Sequence, residues 1–534
     1  MSHVHIYDTT LRDGTQGESV QLSVSEKIQV AHMLDEMGVD YIEGGWPGSN
    51  PRDEGFFIDA KKETFRHARL TAFGSTRRAG IPCDQDPSLN SLVAAEVPAV
   101  TIFGKSSKFQ ATEILRITPE QNLELIFETV QWLKARVDEV VYDAEHFFDG
   151  AAADEAYALK CLEAAAQGGA NFLVLCDTNG GTMPWEVGRL SKRVLDAFGV
   201  PVGIHAHNDA ECGVANSLEA VRHGATMVQG TINGYGERCG NANLISIVPA
   251  LELKMGRTCL FPEKLQELTR LSHTFDELIN NQPHARQAYV GRSAFAHKAG
   301  VHVNAVMKNP SSYEHIAPEA VGNTRRVLVS DLSGRSNLEY KAEEYGLKSG
   351  DNAGMRAALE RIKALENEGY QFEGAEASLR LLMAEAYDER PSYFRVLEAD
   401  VTSVIVDGIR PGSGNNTARA VLRLAFGERE ASTVAHGNGP VDALSNAMNH
   451  LLVEHYPEAA RVRLSDYKVR IMDTSDGTGA AVRVLINATD GDSTWGTVGV
   501  SRNLVEASWA ALVDAYEYCL LQAQVPGLEH SAAE

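Results

Sequence analysis

Two histidines separated by one residue are the clearest sign of chemistry in this 534-residue chain. His205 and His207 end an apolar, strand-like run, and side chains two positions apart in a strand share a face. Both imidazoles then point the same way, as in a two-ligand metal clamp. The pattern is short, and a pair of hydrogen-bonded core histidines is the alternative that it leaves open.

Residues 1–275 alternate apolar strand-like runs with amphipathic helices. The runs cover residues 5–8, 41–44, 70–74, 99–103, 139–143, 172–176, 202–206 and 227–231. Alternating strand–helix units predict a parallel α/β sheet, and eight of them predict a closed (β/α)8 TIM barrel. An open, doubly wound sheet is the alternative, although the first turn, residues 12–15, lacks a glycine-rich phosphate fingerprint.

Helix starts are visible between these runs. Ser23 and Glu26 have the spacing of a capping box, in which each side chain accepts from the other's backbone N–H. Thr118 followed by Pro119 predicts an N-cap with proline at the first helical position.

The mouth of the predicted barrel gathers further metal ligands. In this fold the catalytic groups lie at the C-terminal ends of the strands. The two histidines end the seventh run, Asp13 follows the first, and Asn241 follows the eighth. These three strands are neighbours once the barrel closes. The sequence therefore predicts a mixed nitrogen and oxygen site for Zn²⁺, Mn²⁺ or Mg²⁺.

Other polar residues at the same mouth are candidates for catalysis. Arg12 can stabilise charge on a carbonyl oxygen, or it can form an ordinary ion pair with Glu43. Glu145 can act as a general base, or as a salt-bridged surface residue. Thr178 can hydrogen-bond a substrate carboxylate, or it can cap the next helix. Residues 234–240 have GxGxxxG spacing and predict a tight loop above the barrel.

The rest of the chain has a different character. The sequence predicts helical linker subdomains over residues 276–395. It predicts a separate α+β domain over residues 396–534. Strand candidates in the latter are residues 402–406, 421–425 and 482–486. Glycine-rich residues 412–416 predict a turn.

This C-terminal region contains a weak internal repeat. Residues 441–443 correspond to residues 505–507, and residues 427–428 correspond to residues 491–492. In both cases the second copy lies 64 positions after the first (505 − 441 and 491 − 427). Each copy runs strands, a glycine turn and a helix, which predicts a duplicated unit. A purely structural or dimerising module is the alternative to a regulatory one.

Composition narrows the class of protein. The net charge of −23 argues against general binding to nucleic acid or anionic membranes. The seven cysteines form no CxxC pair, so neither a zinc ribbon nor a disulfide framework is indicated. No signal peptide or membrane-spanning run is visible, and we expect a cytoplasmic protein.

Three motifs carry a resemblance to a known family. Residues 8–16, residues 205–209 and residues 236–243 resemble, in order, the three signatures of the DRE-TIM metallolyases. The resemblance implies a (β/α)8 barrel with a divalent metal. It places the metal ligands on Asp13, His205, His207 and Asn241 and the catalytic arginine and glutamate on Arg12 and Glu145.

The resemblance extends over nearly the whole chain. Residues 295–302 are similar to the linker motif of the acetyl-CoA-condensing branch, the 2-isopropylmalate and homocitrate synthases. Its functional histidine falls on His302 and in relatives reaches the neighbouring subunit's active site, which implies a homodimer. The C-terminal region is similar to a regulatory domain that binds an end-product amino acid.

Within that branch, residues 44–51, 231–236 and 495–501 resemble the (R)-citramalate synthases. This resemblance implies condensation of acetyl-CoA with pyruvate in isoleucine biosynthesis, with isoleucine as the effector. Trp46, in the first segment, is predicted to narrow the 2-oxo acid pocket. One departure is Asn503, where the regulatory motif of 2-isopropylmalate synthases commonly has an acidic residue.

Other functions compete with this one. A 2-isopropylmalate or homocitrate synthase would use a different 2-oxo acid, and a lyase of the same superfamily would cleave an acyl-CoA. A catalytically inactive amino-acid sensor belongs to another class. The complete set of site residues argues against the sensor, and the motif containing His302 argues against the lyase.

Overall fold

The structure is a computed structural model that describes residues 2–330, 332–348, 352–404, 417–472, 477 and 479–528. The chain divides into two compact units. The first comprises Met1–Phe295 with His315–Arg325, and the second comprises Ala296–Glu314 with Arg326–Glu534.

The first unit is built on a closed barrel of eight parallel strands in the order β1 to β8. The strands are β1 (His5–Asp8), β2 (Tyr41–Gly45), β3 (Arg69–Ser75), β4 (Ala99–Lys105), β5 (Glu139–Glu145), β6 (Phe172–Asp177), β7 (Val202–Ala206) and β8 (Met227–Gly230). All eight predicted strands are confirmed. Closure through the β1–β8 pairing excludes the open, doubly wound sheet.

Helices alternate with the strands, as predicted. They are α1 (Val24–Met37), α2 (Pro51–Ala60), α3 (Pro87–Ala94), α4 (Pro119–Lys134), α5 (Phe147–Gly168), α6 (Pro184–Ala197), α7 (Gly213–Arg222), α8 (Leu244–Met255) and the additional α9 (Leu268–Leu278). Ser23 forms the predicted capping box with Glu26 at the start of α1. Thr118 caps α4, with Pro119 at its first position.

The barrel interior is filled by side chains. One buried cluster contains Tyr7, Tyr41, Phe172 and Met227, which come from strands around the barrel. The Tyr7 hydroxyl lies 2.8 Å from Glu43 Oε1 and 2.6 Å from the Thr101 hydroxyl, so its polar atom is satisfied. Each fully buried aromatic or aliphatic side chain contributes about 1.5–3 kcal/mol to stability. This packing makes the barrel a rigid support for its mouth.

In its described residues, the second unit combines helices with three small sheets. Its elements are β9 (Ala296–His297), α10 (Gly300–Lys308), β10 (Arg326–Val327), α11 (Arg335–Glu344), α12 (Asn352–Asn367), α13 (Glu376–Ala386), β11 (Arg395–Val404), β12 (Thr417–Phe426), β13 (Arg429–Gly437), α14 (Pro440–Val453), β14 (Arg463–Ile471), β15 (Val482–Thr489), β16 (Thr494–Ser501) and α15 (Leu504–Gln522). Strands β9 and β10 form a two-stranded parallel pair.

The predicted duplication is present in the second unit. Two three-stranded antiparallel sheets, β11-β12-β13 and β14-β15-β16, are each followed by one helix. Gly427 and Gly491 occupy equivalent hairpin turns with φ of 64° and 97°, a left-handed region that favours glycine. Residues 405–406 of one predicted strand, and the predicted turn at 412–416, lie outside the described residues.

Two further observations concern the whole described chain. No helix in the described ranges has the length and apolar character needed to cross a bilayer. All seven cysteines carry free thiols, and five of them are buried.

Candidate metal centre and active site

Asp13, His205 and His207 come together at the barrel mouth. His205 lies on β7, His207 follows that strand, and Asp13 lies in the loop after β1. Asp13 Oδ2 is 3.4 Å from His205 Nε2 and 3.9 Å from His207 Nε2. The two Nε2 atoms are 3.4 Å apart, and all three side chains are buried. One carboxylate oxygen and two imidazole nitrogens therefore converge within the reach of one divalent cation.

The orientation of His205 is set by a glutamine on β8. Gln229 Oε1 lies 2.9 Å from His205 Nδ1, and Gln229 Nε2 donates to Asp143 Oδ1 at 2.9 Å. Because the amide oxygen can only accept, Nδ1 must carry the proton. Nε2 is then the ring nitrogen that faces Asp13. Metal-bound histidines commonly have such a partner on their other ring nitrogen.

We expect the Gln229→Ala variant to bind a divalent metal about 10–100-fold more weakly, the usual effect of removing a hydrogen-bond partner of a metal ligand. Without Gln229, the tautomer and the ring orientation of His205 are no longer fixed. The measurement is a titration of the metal-free protein with Mn²⁺ or Zn²⁺. Gln167→Ala is the control, since the Gln167 side chain donates to Glu163 on the exposed face of α5. Unchanged metal affinity in Gln229→Ala would show that the contact has no role in the site.

Asn241 lies beside the histidines through an isolated antiparallel bridge with His207. Its Nδ2 donates to Tyr235 O at 3.3 Å. Asn241 Oδ1 and His207 Nδ1 are both buried and have no hydrogen-bond partner in the described part of the chain. Buried polar atoms in proteins are almost always satisfied, so the unpaired Asn241 Oδ1 fits a site that receives a cation or its bound water.

The electrostatic environment also suits a cation. Burial alone would raise the pKa of Asp13, but Arg12, His205 and His207 hold it well below its usual range. Asp13 is therefore ionised at neutral pH. Burial and the neighbouring His205 lower the pKa of His207 to about 4. Its imidazole is then neutral, which is the form that coordinates metals.

Arg12 lines the mouth between two carboxylates. Its Nε donates to Glu43 Oε2 at 2.6 Å, and its Nη1 lies 3.3 Å from Asp13 Oδ2. The guanidinium lies over the Phe73 ring, with Cζ 3.7 Å from the ring centroid. The predicted ion pair with Glu43 is thus present, and the same contact holds the guanidinium at the cavity surface.

Glu145 ends β5, Thr178 directly follows β6, and both line the same cavity. Glu145 forms an ion pair with Lys105 at the end of β4. The Thr178 hydroxyl accepts a hydrogen bond from the backbone N–H of His146 at 2.8 Å. The alternative in which Thr178 caps the next helix is wrong, because Met183 is the N-cap of α6. The hydroxyl proton of Thr178 is left to donate to a ligand.

The cavity at the mouth has a volume of about 260 Å³. Its lining residues are Arg12, Asp13, Gln16, Trp46, Phe73, Phe103, Asp143, Glu145, Cys176, Thr178, His205, His207, Glu237 and Arg238. Trp46 packs edge-on against Phe73 and Phe103, with both pairs of ring centroids 5.7 Å apart. The cavity is therefore lined both by aromatic rings and by polar side chains that include the candidate metal ligands.

The glycine-rich loop after β8 closes over this mouth, as predicted. A Cβ at Gly236 would lie 2.1 Å from Asn241 Nδ2, so the close approach requires glycine. Gly240 has φ of 87°, and a Cβ there would lie 2.0 Å from the backbone oxygen of Gly234. The loop presents Arg238, whose Nε donates to Asp209 Oδ1 at 2.8 Å.

His302 belongs to the second unit. It lies near the start of α10, is exposed, and stacks on Tyr313 with ring centroids 4.2 Å apart. The barrel mouth itself brings together the other predicted site residues, while the place of His302 in catalysis stays a prediction.

Comparisons with known proteins agree with this architecture. The HMGL-like family matches residues 3–274, the homocitrate synthase post-HMGL domain-like family matches residues 289–370, and the LeuA allosteric (dimerisation) domain matches residues 373–520. The (R)-citramalate synthase of Geobacter sulfurreducens is 53% identical over 522 residues, which cover 97% of this chain and 98% of that protein.

The chain belongs to the (R)-citramalate synthase family.

A second member of the family, from Aquifex aeolicus, is 51% identical over 527 residues, or 98% of this chain and 99% of that protein. A 2-isopropylmalate synthase from Oceanobacillus iheyensis is 31% identical over 536 residues, with 96% of each chain covered. The resemblance of the Trp46 segment to (R)-citramalate synthases is thus matched by similarity along the full chain.

Three residues in this member of the (R)-citramalate synthase family were not identified from the sequence. Gln229 and Asp143 form the hydrogen-bonded chain behind His205, and Lys105 pairs with Glu145. Alternation along the strands could have placed Asp143 and Gln229 on the inward face. Nothing in their spacing indicates which inward residues contact each other.

Proposed function

We propose that this protein condenses acetyl-CoA with pyruvate and hydrolyses the resulting thioester to (R)-citramalate and CoA. The similarity along nearly the whole chain to several (R)-citramalate synthases is the observation that supports pyruvate, and not another 2-oxo acid, as the substrate. The Asp–His–His cluster at the base of a small cavity supports the condensation chemistry.

Asp13, His205 and His207 would hold the divalent metal, with Asn241 beside them. The donor set is compatible with Mn²⁺, Zn²⁺ or Mg²⁺. When bound, such an ion supplies Lewis-acid polarisation of a ketone oxygen.

The protein's own groups contribute charge stabilisation and substrate orientation. The Arg12 guanidinium, fixed by Glu43 and Phe73, donates toward the oxygen on which negative charge develops. Thr178 donates its hydroxyl proton to the substrate carboxylate. Because both donors are held before substrate binds, little reorganisation accompanies the reaction.

Two residues share the proton transfers. A base removes a methyl proton from acetyl-CoA, the enolate carbon bonds to the ketone carbon of pyruvate, and the ketone oxygen becomes a hydroxyl. Water then attacks the thioester, and the C–S bond breaks to release CoA. We assign these proton movements to Glu145 at the mouth and to His302 supplied by a neighbouring subunit.

Trp46 is proposed to limit the size of the 2-oxo acid. Because its indole packs against Phe73 and Phe103, it forms part of the aromatic lining of the cavity that the candidate metal ligands also line. The Trp46→Ala variant should raise kcat/KM for 2-oxoisovalerate relative to pyruvate by about 10-fold or more, since added apolar contacts in a pocket are worth about 1–3 kcal/mol.

The measurement is free-thiol release with each 2-oxo acid. Trp185→Ala is the matched control, because that tryptophan is 67% exposed on α6. If Trp46→Ala leaves the preference between the two acids unchanged, Trp46 does not set substrate size.

The regulatory assignment is also part of the proposal. The LeuA allosteric (dimerisation) domain over residues 373–520 supports a homodimer with a regulatory C-terminal domain. We propose isoleucine as the effector and a division into a barrel at 1–275, helical linker subdomains at 276–395 and a regulatory domain at 396–534. A cytoplasmic location fits the need for acetyl-CoA and the free thiols of this chain.

Product analysis tests the proposed reaction. Purified protein loaded with Mn²⁺ and given acetyl-CoA and pyruvate should yield equal amounts of CoA and citramalate, with the (R) enantiomer resolved by chiral chromatography. Thiol release without citramalate, or formation of the (S) enantiomer, would contradict the proposal.

A further inference from the structure

A second group of metal-ligating side chains lies at the opposite end of the barrel. His3 and His5 stand two positions apart at the beginning of β1, and Asp40 directly precedes β2. Their ligating atoms lie within 4.8 Å of one another. The active-site residues follow the C-terminal ends of the strands, whereas these residues lie at the N-terminal ends. The two groups are therefore separated by the length of the barrel strands.

The carboxylate of Asp40 is the centre of this group. Its Oδ1 lies 2.9 Å from His3 Nε2 and 3.1 Å from His5 Nδ1. Its Oδ2 accepts from the backbone N–H of Ile6 at 3.0 Å, which fixes the carboxyl group. A third imidazole is near, because His67 Nε2 lies 3.7 Å from Asp40 Oδ1.

The backbone that carries these side chains is already ordered. The N–H of His5 donates to Thr226 O at 2.8 Å, and His3 forms a parallel bridge with Thr258. The ring of His67 packs against Phe261, with centroids 4.6 Å apart. These backbone and ring contacts, with the bond from the Ile6 N–H to Asp40, hold the side chains near one another, so little rearrangement would be needed to bind an ion.

Access and charge also favour an ion. The side chains of His3 and His5 are 41% and 36% exposed, while that of Asp40 is 11% exposed. A cation can therefore reach the imidazoles from solvent, and the chain's net charge of −23 attracts it. Imidazole nitrogens with one carboxylate oxygen are the ligands that Zn²⁺ prefers, and water can complete the coordination.

We propose that His3, His5 and Asp40, with His67 as a fourth ligand, form a second binding site for Zn²⁺ or a similar divalent transition metal. The site would tie the start of β1 to the start of β2. Its role is structural and is independent of the reaction at the barrel mouth, so it does not rest on the proposed function.

Metal stoichiometry tests this site. The full-length protein is stripped with chelator and dialysed against Zn²⁺, and bound zinc is measured by mass spectrometry. We expect the His3→Gln/His5→Gln variant to bind one equivalent fewer than the unmodified chain and to keep its thiol-release activity. Zinc bound by cysteines, such as the exposed Cys239, is present in both proteins and therefore does not affect the difference in zinc content between them.

His32→Gln is the matched control, because His32 also pairs with a carboxylate, Glu63, at 3.0 Å on the surface. It should bind as much zinc as the unmodified chain. If the double variant does not fold, His3→Gln alone gives the same readout. Equal zinc content in the His3/His5 variant and the unmodified chain would overturn the proposal. So would an equal loss of zinc in His32→Gln.

Discussion

The His207→Ala variant is expected to lose about 10³-fold or more of its turnover, since the charge stabilisation at such a centre is worth several kcal/mol and each 1.36 kcal/mol is a factor of ten. His207 supplies one of the three converging ligand atoms, and alanine leaves Asp13 and His205 as an incomplete site. The measurement is kcat/KM for thiol release, together with the metal content of the purified variant.

His223→Ala serves as the control for this substitution. His223 is a partly buried histidine on the first unit whose Nε2 lies 3.0 Å from Glu219, away from the mouth. It should retain normal turnover and metal content. If His207→Ala keeps the activity of the unmodified chain, the Asp–His–His cluster is not the catalytic metal site.

The Glu145→Gln variant should bind pyruvate with near-normal affinity yet lose about 10²–10⁴-fold in turnover, the range that a positioned acid or base contributes. Glutamine has nearly the same shape, so the cavity and the contacts of Arg12 and Thr178 persist. It cannot accept a proton, and it also gives up the charge that pairs with Lys105. Pyruvate binding is measured by calorimetry and turnover by thiol release.

Glu139→Gln provides a control on the same strand. Glu139 lies at the opposite end of β5, where it accepts a hydrogen bond from the Tyr41 hydroxyl at 2.9 Å. Its substitution should leave turnover within a few-fold of normal. Full activity in Glu145→Gln would remove Glu145 from the proton transfers and leave them to His302.

The barrel could be predicted because its pattern is local. Each strand is a short apolar run, and each helix start carries its own signal, such as Ser23 with Glu26 or Thr118 with Pro119. The closed sheet then determines which strand ends are neighbours. That is why Asp13 and the two histidines, nearly 200 positions apart in sequence, could be predicted to meet.

The contacts behind the metal ligands could not be predicted in the same way. The hydrogen bond of Gln229 to Asp143 joins residues 86 positions apart, and many inward-facing polar residues would fit the pattern equally well. The same holds for Lys105 and Glu145, since the register of β4 against β5 decides their pairing. Such pairings depend on side-chain rotamers and strand register, which periodicity does not encode.

Substrate preference is the most direct test of the proposed function. The purified, metal-loaded protein is incubated with acetyl-CoA and, separately, pyruvate, 2-oxobutyrate, 2-oxoisovalerate or 2-oxoglutarate, and kcat/KM is obtained from free-thiol release. We expect pyruvate to give the highest value and chelator to abolish the reaction. A preference for any of the other three acids, or turnover that persists without metal, would contradict the account.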